Sequence, residues 1–274
     1  MDFGVSAFVT DESIRPDLLG IALEERGFTS LSLAEHSNIP ASRKSPYPGG
    51  GDLPRRYYRT MDPFVALTAA AAATRTLRVG TGIAQLIQRD VFHTAKEVAS
   101  LDIISGGRFD FGVGVGWNRE EMRNHGTDPR TQGTLLNERL AALKAIWTQD
   151  EAEFHGKYVD FDPVFVWPKP LQKPHPPIYI SSVSPAALAR VAEYGDGWLP
   201  TLIDPAGVRQ GLQWLADQGR TGIKVTVWGV RDPGMITGYA EAGVHQVNML
   251  LPSKPEDKTY RALDELATLA DGYR

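Results

Sequence analysis

The stretch PIYISSVSPAALARVAEYGDGW, residues 177–198, carries more chemical potential than any other in the chain. Its apolar run ends at Ser181-Ser182. Ser184 then reads as a helix N-cap, with Pro185 at the first helical position. A turn of this kind leaves N–H groups free, and the dipole of the following helix adds positive potential, so a phosphate fits there. The same residues also serve as an ordinary cap without a ligand. His36 ends another apolar run, SLSLAEH. Its imidazole can donate a hydrogen bond or relay a proton near neutral pH. As one of six histidines, it reads equally as a satisfied structural residue. Glu35 points to the opposite face by strand alternation, so the two adjacent groups are not expected to act together.

Other chemistries find no residues to carry them. The chain has no cysteine, which removes thiol catalysis, cysteine-ligated zinc and iron–sulfur clusters. It contains no His-x-His in the first strand, no HExxH and no carboxylate cluster of metal-binding spacing. No G-x-S-x-G elbow is present. A net charge of -4 gives no electrostatic case for nucleic acid. The start, MDFGVSAFVTDE, lacks the basic and apolar regions of a signal peptide, and apolar runs stop well short of a membrane span. A soluble, cytoplasmic holder of a cofactor and a small-molecule substrate is the expectation.

The elements that position these residues alternate along the whole chain. Strands are expected at 2–8, 30–36, 78–85, 109–117, 178–182, 197–201, 224–230 and 246–252. Helices are expected near 14–26, 62–75, 91–105 and 135–147, with helical segments after the later strands. Eight βα units over 274 residues close most simply into one (β/α)8 barrel, an α/β domain spanning 1–274. A doubly wound sheet lacks its dinucleotide fingerprint, because GVGVGW places Trp117 where the helix-contacting glycine belongs. Two segments, 37–60 and 149–177, exceed ordinary loop length and read as lids or unordered connections.

Alternation also indicates which side chains face the barrel interior. Ser32, Ala34 and His36 face in from strand two. Gly80, Gly82 and Ala84 do so from strand three, and Asp110, Gly112, Gly114 and Gly116 from strand four. This sector is short of volume, whereas barrel interiors are normally packed. Either a cofactor fills the rim there, with Trp228 filling the opposite side, or large side chains lean across.

The segments SLSLAEH, YYRTMDPFVALTAAAAAT, RVGTGIAQLIQRDVFHTAKEVASLD, SGGRFDFGVGVGWNREE and PPIYISSVSPAALARVAEYGDGWLP together resemble the luciferase-like monooxygenase superfamily. The resemblance is closest to its branch of coenzyme F420-dependent oxidoreductases, and it is strong over residues 1–201. It implies a barrel of the bacterial-luciferase type with an insertion before strand five, matching 149–177. It further implies a homodimer and a cofactor ring at the C-terminal rim. The ring would be backed by a non-proline cis peptide at Gly82–Ile83, with Thr81 and Gly114 beside it. Ser181, Ser182 and Val183 match the phosphate turn, and His36 matches the rim histidine. Relatives that oxidise sugar phosphates carry a glutamate where this chain has Trp117. That acid role is therefore missing, and Trp117 becomes a candidate substrate wall.

The implied activity is hydride transfer between F420 and a small organic substrate. The alternatives are an FMN-dependent two-component monooxygenase and a non-catalytic flavin-binding barrel. Arg43, Lys44, Arg55, Arg56 and Arg59 face only Asp52 within loop 37–60. This local excess suits the anionic tail of F420, which FMN lacks. It equally describes a solvated basic loop.

Overall fold

The computed structural model describes residues 1–230 and 232–274. Its strands, in chain order, are β1 (Asp2–Ala7), β2 (Ser30–Leu33), β3 (Arg78–Thr81), β4 (Ala84–Gln85) and β5 (Phe109–Gly114). They continue with β6 (Ala152–His155), β7 (Asp160–Val164), β8 (Ile178–Ser181), β9 (Gly197–Leu199), β10 (Lys224–Val230) and β11 (Gln246–Leu250). The helices are α1 (Pro16–Glu25), α2 (Pro63–Ala73), α3 (Val91–Ile104), α4 (Arg119–Asn124) and α5 (Gln132–Thr148). After them come α6 (Pro185–Tyr194), α7 (Pro205–Asp217), α8 (Ile236–Glu241) and α9 (Glu256–Asp271).

The sheet runs β3-β2-β1-β11-β10-β9-β8-β5-β4, and a further β3–β5 pairing closes it. Since β3 and β4 are two parts of one barrel strand, this is the expected closed, eight-stranded parallel (β/α)8 barrel. Capping explains several helix starts. Asp62, Asp90, Ser184 and Asp204 each accept a hydrogen bond from an N–H in the first turn, and Pro63, Pro185 and Pro205 follow three of them. Phe109 and Phe111 are fully buried and lie against Phe64 of α2, so odd-numbered β5 residues face the helices as alternation requires.

The third barrel strand departs from simple alternation. Gly80 is level with Asp110, but Ala84 is level with Val113, so β3–β4 holds one residue more than β5 between these pairs. The Gly82–Ile83 peptide inside this bulge is cis. The extra residue inverts the parity beyond it. Ala84, expected to face in, shares the helix-facing side with Val113, while Gln85 turns inward level with Gly114. Ile83, expected to face out, instead approaches Gly114: a Cβ built there would lie 3.0 Å from Ile83 Cδ1.

Trp228 leans across the barrel instead of filling only its own side. Its Nε1 donates to Ser32 Oγ at 3.2 Å, and a Cβ on Gly82 would overlap that indole. Part of the volume deficit on strands two to four is therefore met by this one side chain.

Of the two long segments, only 37–60 covers the mouth. Residues 149–177 form the β6–β7 hairpin and then an extended run along the outside. Glu138 of α5 accepts from Tyr158 N and Val159 N, and buried Asp102 of α3 accepts from Gln172. The expectation that this segment is a lid or an unordered connection is thus corrected. Helix α5 has already returned the chain to the N-terminal side of the barrel, where β8 must begin, and the insertion spans that gap. Among the described residues, no helix is long and apolar enough to cross a membrane.

Candidate functional site

Three residues beyond β2, alternation carries Glu35 outward and His36 into the mouth. Glu35 accepts from Gln85 N at 2.6 Å and pairs with Arg89. Burial pushes its carboxyl above the usual range, with Arg89 pulling the other way. His36 has a nearly buried side chain, and its Nδ1 lies 2.8 Å from Oε2 of the fully buried Glu121. The other carboxylate oxygen of Glu121 accepts from Ser37 N at 3.1 Å. Trp117 Nε1 lies 3.3 Å from His36 Nε2. Indole N–H only donates, so Nε2 is the acceptor and the proton sits on Nδ1, donated to Glu121. Gln85 Nε2 is also 3.2 Å from Nδ1, but its shorter bond is to Glu35 O, at 2.6 Å.

Glu121 is the residue that sequence reasoning missed. It sits on the short helix α4, where Asn118 caps the first turn by accepting from the N–H groups of Glu120 and Glu121. The Asn-x-x-Glu spacing from 118 to 121 was the available signal. Read that way, however, Glu121 would turn back on its own cap instead of reaching His36. Four residues after Trp117, which contacts Nε2, Glu121 thus contacts the other ring nitrogen.

Thr81, Gly82, Ile83 and Gly114 gather on the adjacent sector. Thr81 is buried and donates to Gly112 O at 2.7 Å; a Cβ on Gly112 would overlap Thr81 O, so the two strands approach as only glycine permits. A Cβ on Gly114 would meet Ile83 at 3.0 Å and Ser181 Cβ at 3.6 Å. Ser181 therefore joins this group. Beyond it, Ser182 adopts φ +112°, a left-handed backbone that favours glycine. Trp198 Nε1 donates to Ser182 O at 2.8 Å and fixes the turn from below. Ser184 Oγ accepts from Ala187 N, and Val183 is exposed. Among the described residues, the N–H groups of Ser182, Val183 and Ala186 have no acceptor. The turn is thus free to receive an anion.

The lid over this sector is aromatic. Tyr57 lies 5.2 Å from the His36 ring and 5.2 Å from Tyr47, which in turn lies 6.1 Å from Trp117, centroid to centroid. Glu120 pins the lid, accepting from Ser42 Oγ, Lys44 N, Ser45 N and Ser45 Oγ. These bonds, led by that from Ser45, hold its carboxyl down at about 2. The basic excess expected of the lid is partly cancelled from outside it, because Arg55 pairs with Glu12 and Arg59 with Asp11. Among the described residues, no group of histidines and carboxylates has the geometry to hold a metal ion.

A sequence model of the luciferase-like monooxygenase family matches residues 19–229. An uncharacterized protein of Mycobacterium tuberculosis is 36% identical over 278 residues, covering 97% of this chain and 98% of its own. The FMNH2-dependent dimethylsulfone monooxygenase of Pseudomonas putida is 31% identical over 185 residues, covering 65% of this chain and 45% of its own. Among solved structures, a monooxygenase from Streptomyces bottropensis superposes with a TM-score of 0.79 at 20% identity, covering 100% of both chains. An F420-dependent secondary alcohol dehydrogenase does so with a TM-score of 0.78 at 18% identity, again covering 100% of both. Members of the matching family are oxidoreductases and monooxygenases that act on small molecules. With the family model spanning most of the barrel, and the M. tuberculosis relative aligned over nearly its whole length, this chain belongs to the luciferase-like monooxygenase family.

Proposed function

We propose that this protein is an oxidoreductase that moves hydride between coenzyme F420 and a small organic substrate. One observation carries the reading: a chain of neighbours links the bulge at Ile83, Gly114, the turn at Ser181 and, through Gln85, the imidazole of His36. The residues fit the group. Free N–H donors at Ser182 and Val183 would hold its phosphate, while Thr81, Gly82, Ile83 and Gly114 offer backbone and small side chains against its ring. Bound there, F420 supplies a two-electron hydride carrier.

The remaining work falls to the chain itself. A substrate hydroxyl replacing the Trp117 N–H at His36 Nε2 would pass its proton to that nitrogen. Nδ1–H stays on Glu121, which keeps the ring oriented with Nε2 toward the mouth. Trp117, Tyr47 and Tyr57 wall the substrate and exclude water. This built acid–base pair speaks against a barrel that only stores cofactor.

FMN is the second reading, favoured by the 31% identity to the FMNH2-dependent enzyme of P. putida; the same turn would take its phosphate. Titrating the cofactor-free protein with F420 and with FMN tests the choice. The expected result is tighter F420 binding, followed by substrate-dependent loss of the oxidised cofactor's visible absorption under anaerobic conditions. Tighter FMN binding with substrate-dependent oxygen consumption would overturn it.

A further inference from the structure

Resting on the reading of the mouth as a substrate site, we infer that the substrate carries a carboxylate, held by Arg43 and Arg56 of the lid. Four arginines lie on segment 37–60, and two are spent on the ion pairs with Asp11 and Glu12. The other two make no ion pair among the described residues, yet each has a buried guanidinium nitrogen without a hydrogen-bond partner: Nη1 of Arg43 and Nε of Arg56. Arg89 has one as well, but its charge is answered by Glu35 and Glu97. For Arg43 and Arg56 no carboxylate among the described residues answers. A guanidinium keeps its charge at any working pH, and buried donors are normally satisfied. An anion brought in by a ligand is the partner that meets both needs.

The placement of the two arginines matches the site. Arg43 lies over the ring of Trp117, 5.9 Å from its centroid, and Trp117 touches His36. Arg56 lies over Phe8 and Tyr57, at 5.2 Å and 5.4 Å, and Tyr57 borders His36. Both guanidiniums thus lie against aromatic rings that border His36, and a guanidinium fork is suited to binding a carboxylate. Arg56 is also the charged residue lining a cavity of about 360 Å3, otherwise bordered by apolar side chains such as Val230, Ile236, Leu251 and Leu266. Arg56 thus lies among aromatic and aliphatic side chains, and Arg43 lies against the Trp117 indole. A small acid with an apolar body is the class that suits them, in place of the uncharged substrate that an apolar wall at Trp117 alone would imply.

Calorimetric titration of the full chain with phenylacetate and with its neutral isostere phenylacetamide tests this. Phenylacetate is expected to bind at least tenfold more tightly. Arg43→Gln and Arg56→Gln should each remove that preference, whereas Arg55→Gln, which breaks only the pair with Glu12, should keep it. Equal affinity for acid and amide in the unaltered protein overturns the inference without reference to any variant. The same anionic chemistry exists in the tail of F420, so a second arm compares F420 with the deazaflavin lacking its phospholactyl-glutamate tail. If the arginine variants lose affinity for F420 alone, and F420 displaces phenylacetate, the arginines serve the cofactor and the substrate assignment falls. Because the acid-over-amide preference is measured without cofactor, it stands or falls separately from the choice between F420 and FMN.

Discussion

Glu121 Oε2 lies 2.8 Å from His36 Nδ1, although 85 positions separate the two residues in the chain. The pair fixes which imidazole nitrogen carries the proton and which one faces the mouth. Replacing His36 with Asn should lower turnover by about 10²- to 10⁴-fold, the usual contribution of a positioned acid–base group, with little change in cofactor affinity. Glu121→Gln retains an oxygen acceptor for Nδ1–H but loses the charge, so turnover should fall at least about tenfold while affinity again holds. Steady-state kinetics beside equilibrium cofactor titration checks both. Unchanged turnover in Glu121→Gln would leave that residue a purely structural role.

The turn after β8 makes a separate prediction. Ser182→Asp sets a negative charge where the cofactor phosphate is expected and should weaken binding at least tenfold, about 1.4 kcal/mol. Ser182→Gly should bind as well as the parent, because φ +112° suits glycine and the backbone N–H donors remain. Cofactor titration of the two variants decides whether this turn belongs to the site.

Lid docking should depend on pH through Glu120. Its carboxyl titrates at about 2 in the folded protein against an ordinary 4.5. A depressed folded value means that the stabilisation is complete above 4.5 and is lost as pH falls from there toward about 2. Glu120→Gln should therefore lower the hydrogen-exchange protection of the Lys44 and Ser45 amides at pH 7. The difference from the parent should close across that acidic window. Equal protection at neutral pH would show that other contacts hold the lid.

Gly82 is expected to resist substitution for reasons of space. An added methyl group overlaps Trp228 Nε1 and Ser32 Oγ, so Gly82→Ala should cost about 1–3 kcal/mol, as overpacking does. Trp228→Ala in the same chain removes the larger of the two obstacles. The double variant should then be destabilised by less than the sum of the single changes, which denaturant unfolding would measure.

The strands and helices were legible in the sequence because their signals are local. Alternation of apolar residues, Asp-Pro and Ser-Pro helix starts, and the glycine after α1 all act within a few positions. The same local rule placed His36 at the mouth and turned Glu35 away. It failed at Ala84, since a bulge of one residue reverses every side chain after it, and alternation cannot count a residue whose presence depends on pairing with β5. Gly82 looked like open space from its own strand; only barrel closure brings Trp228 across to it. Arg55 and Arg59 looked like free charge until folding set Asp11 and Glu12 beside them, and Glu121 showed no sign of its partner on β2's far end. Burial and charge pairing depend on which distant segments meet, and chain closure over dozens of residues, unlike a helix cap or a strand's period, is decided by the packing of the whole barrel.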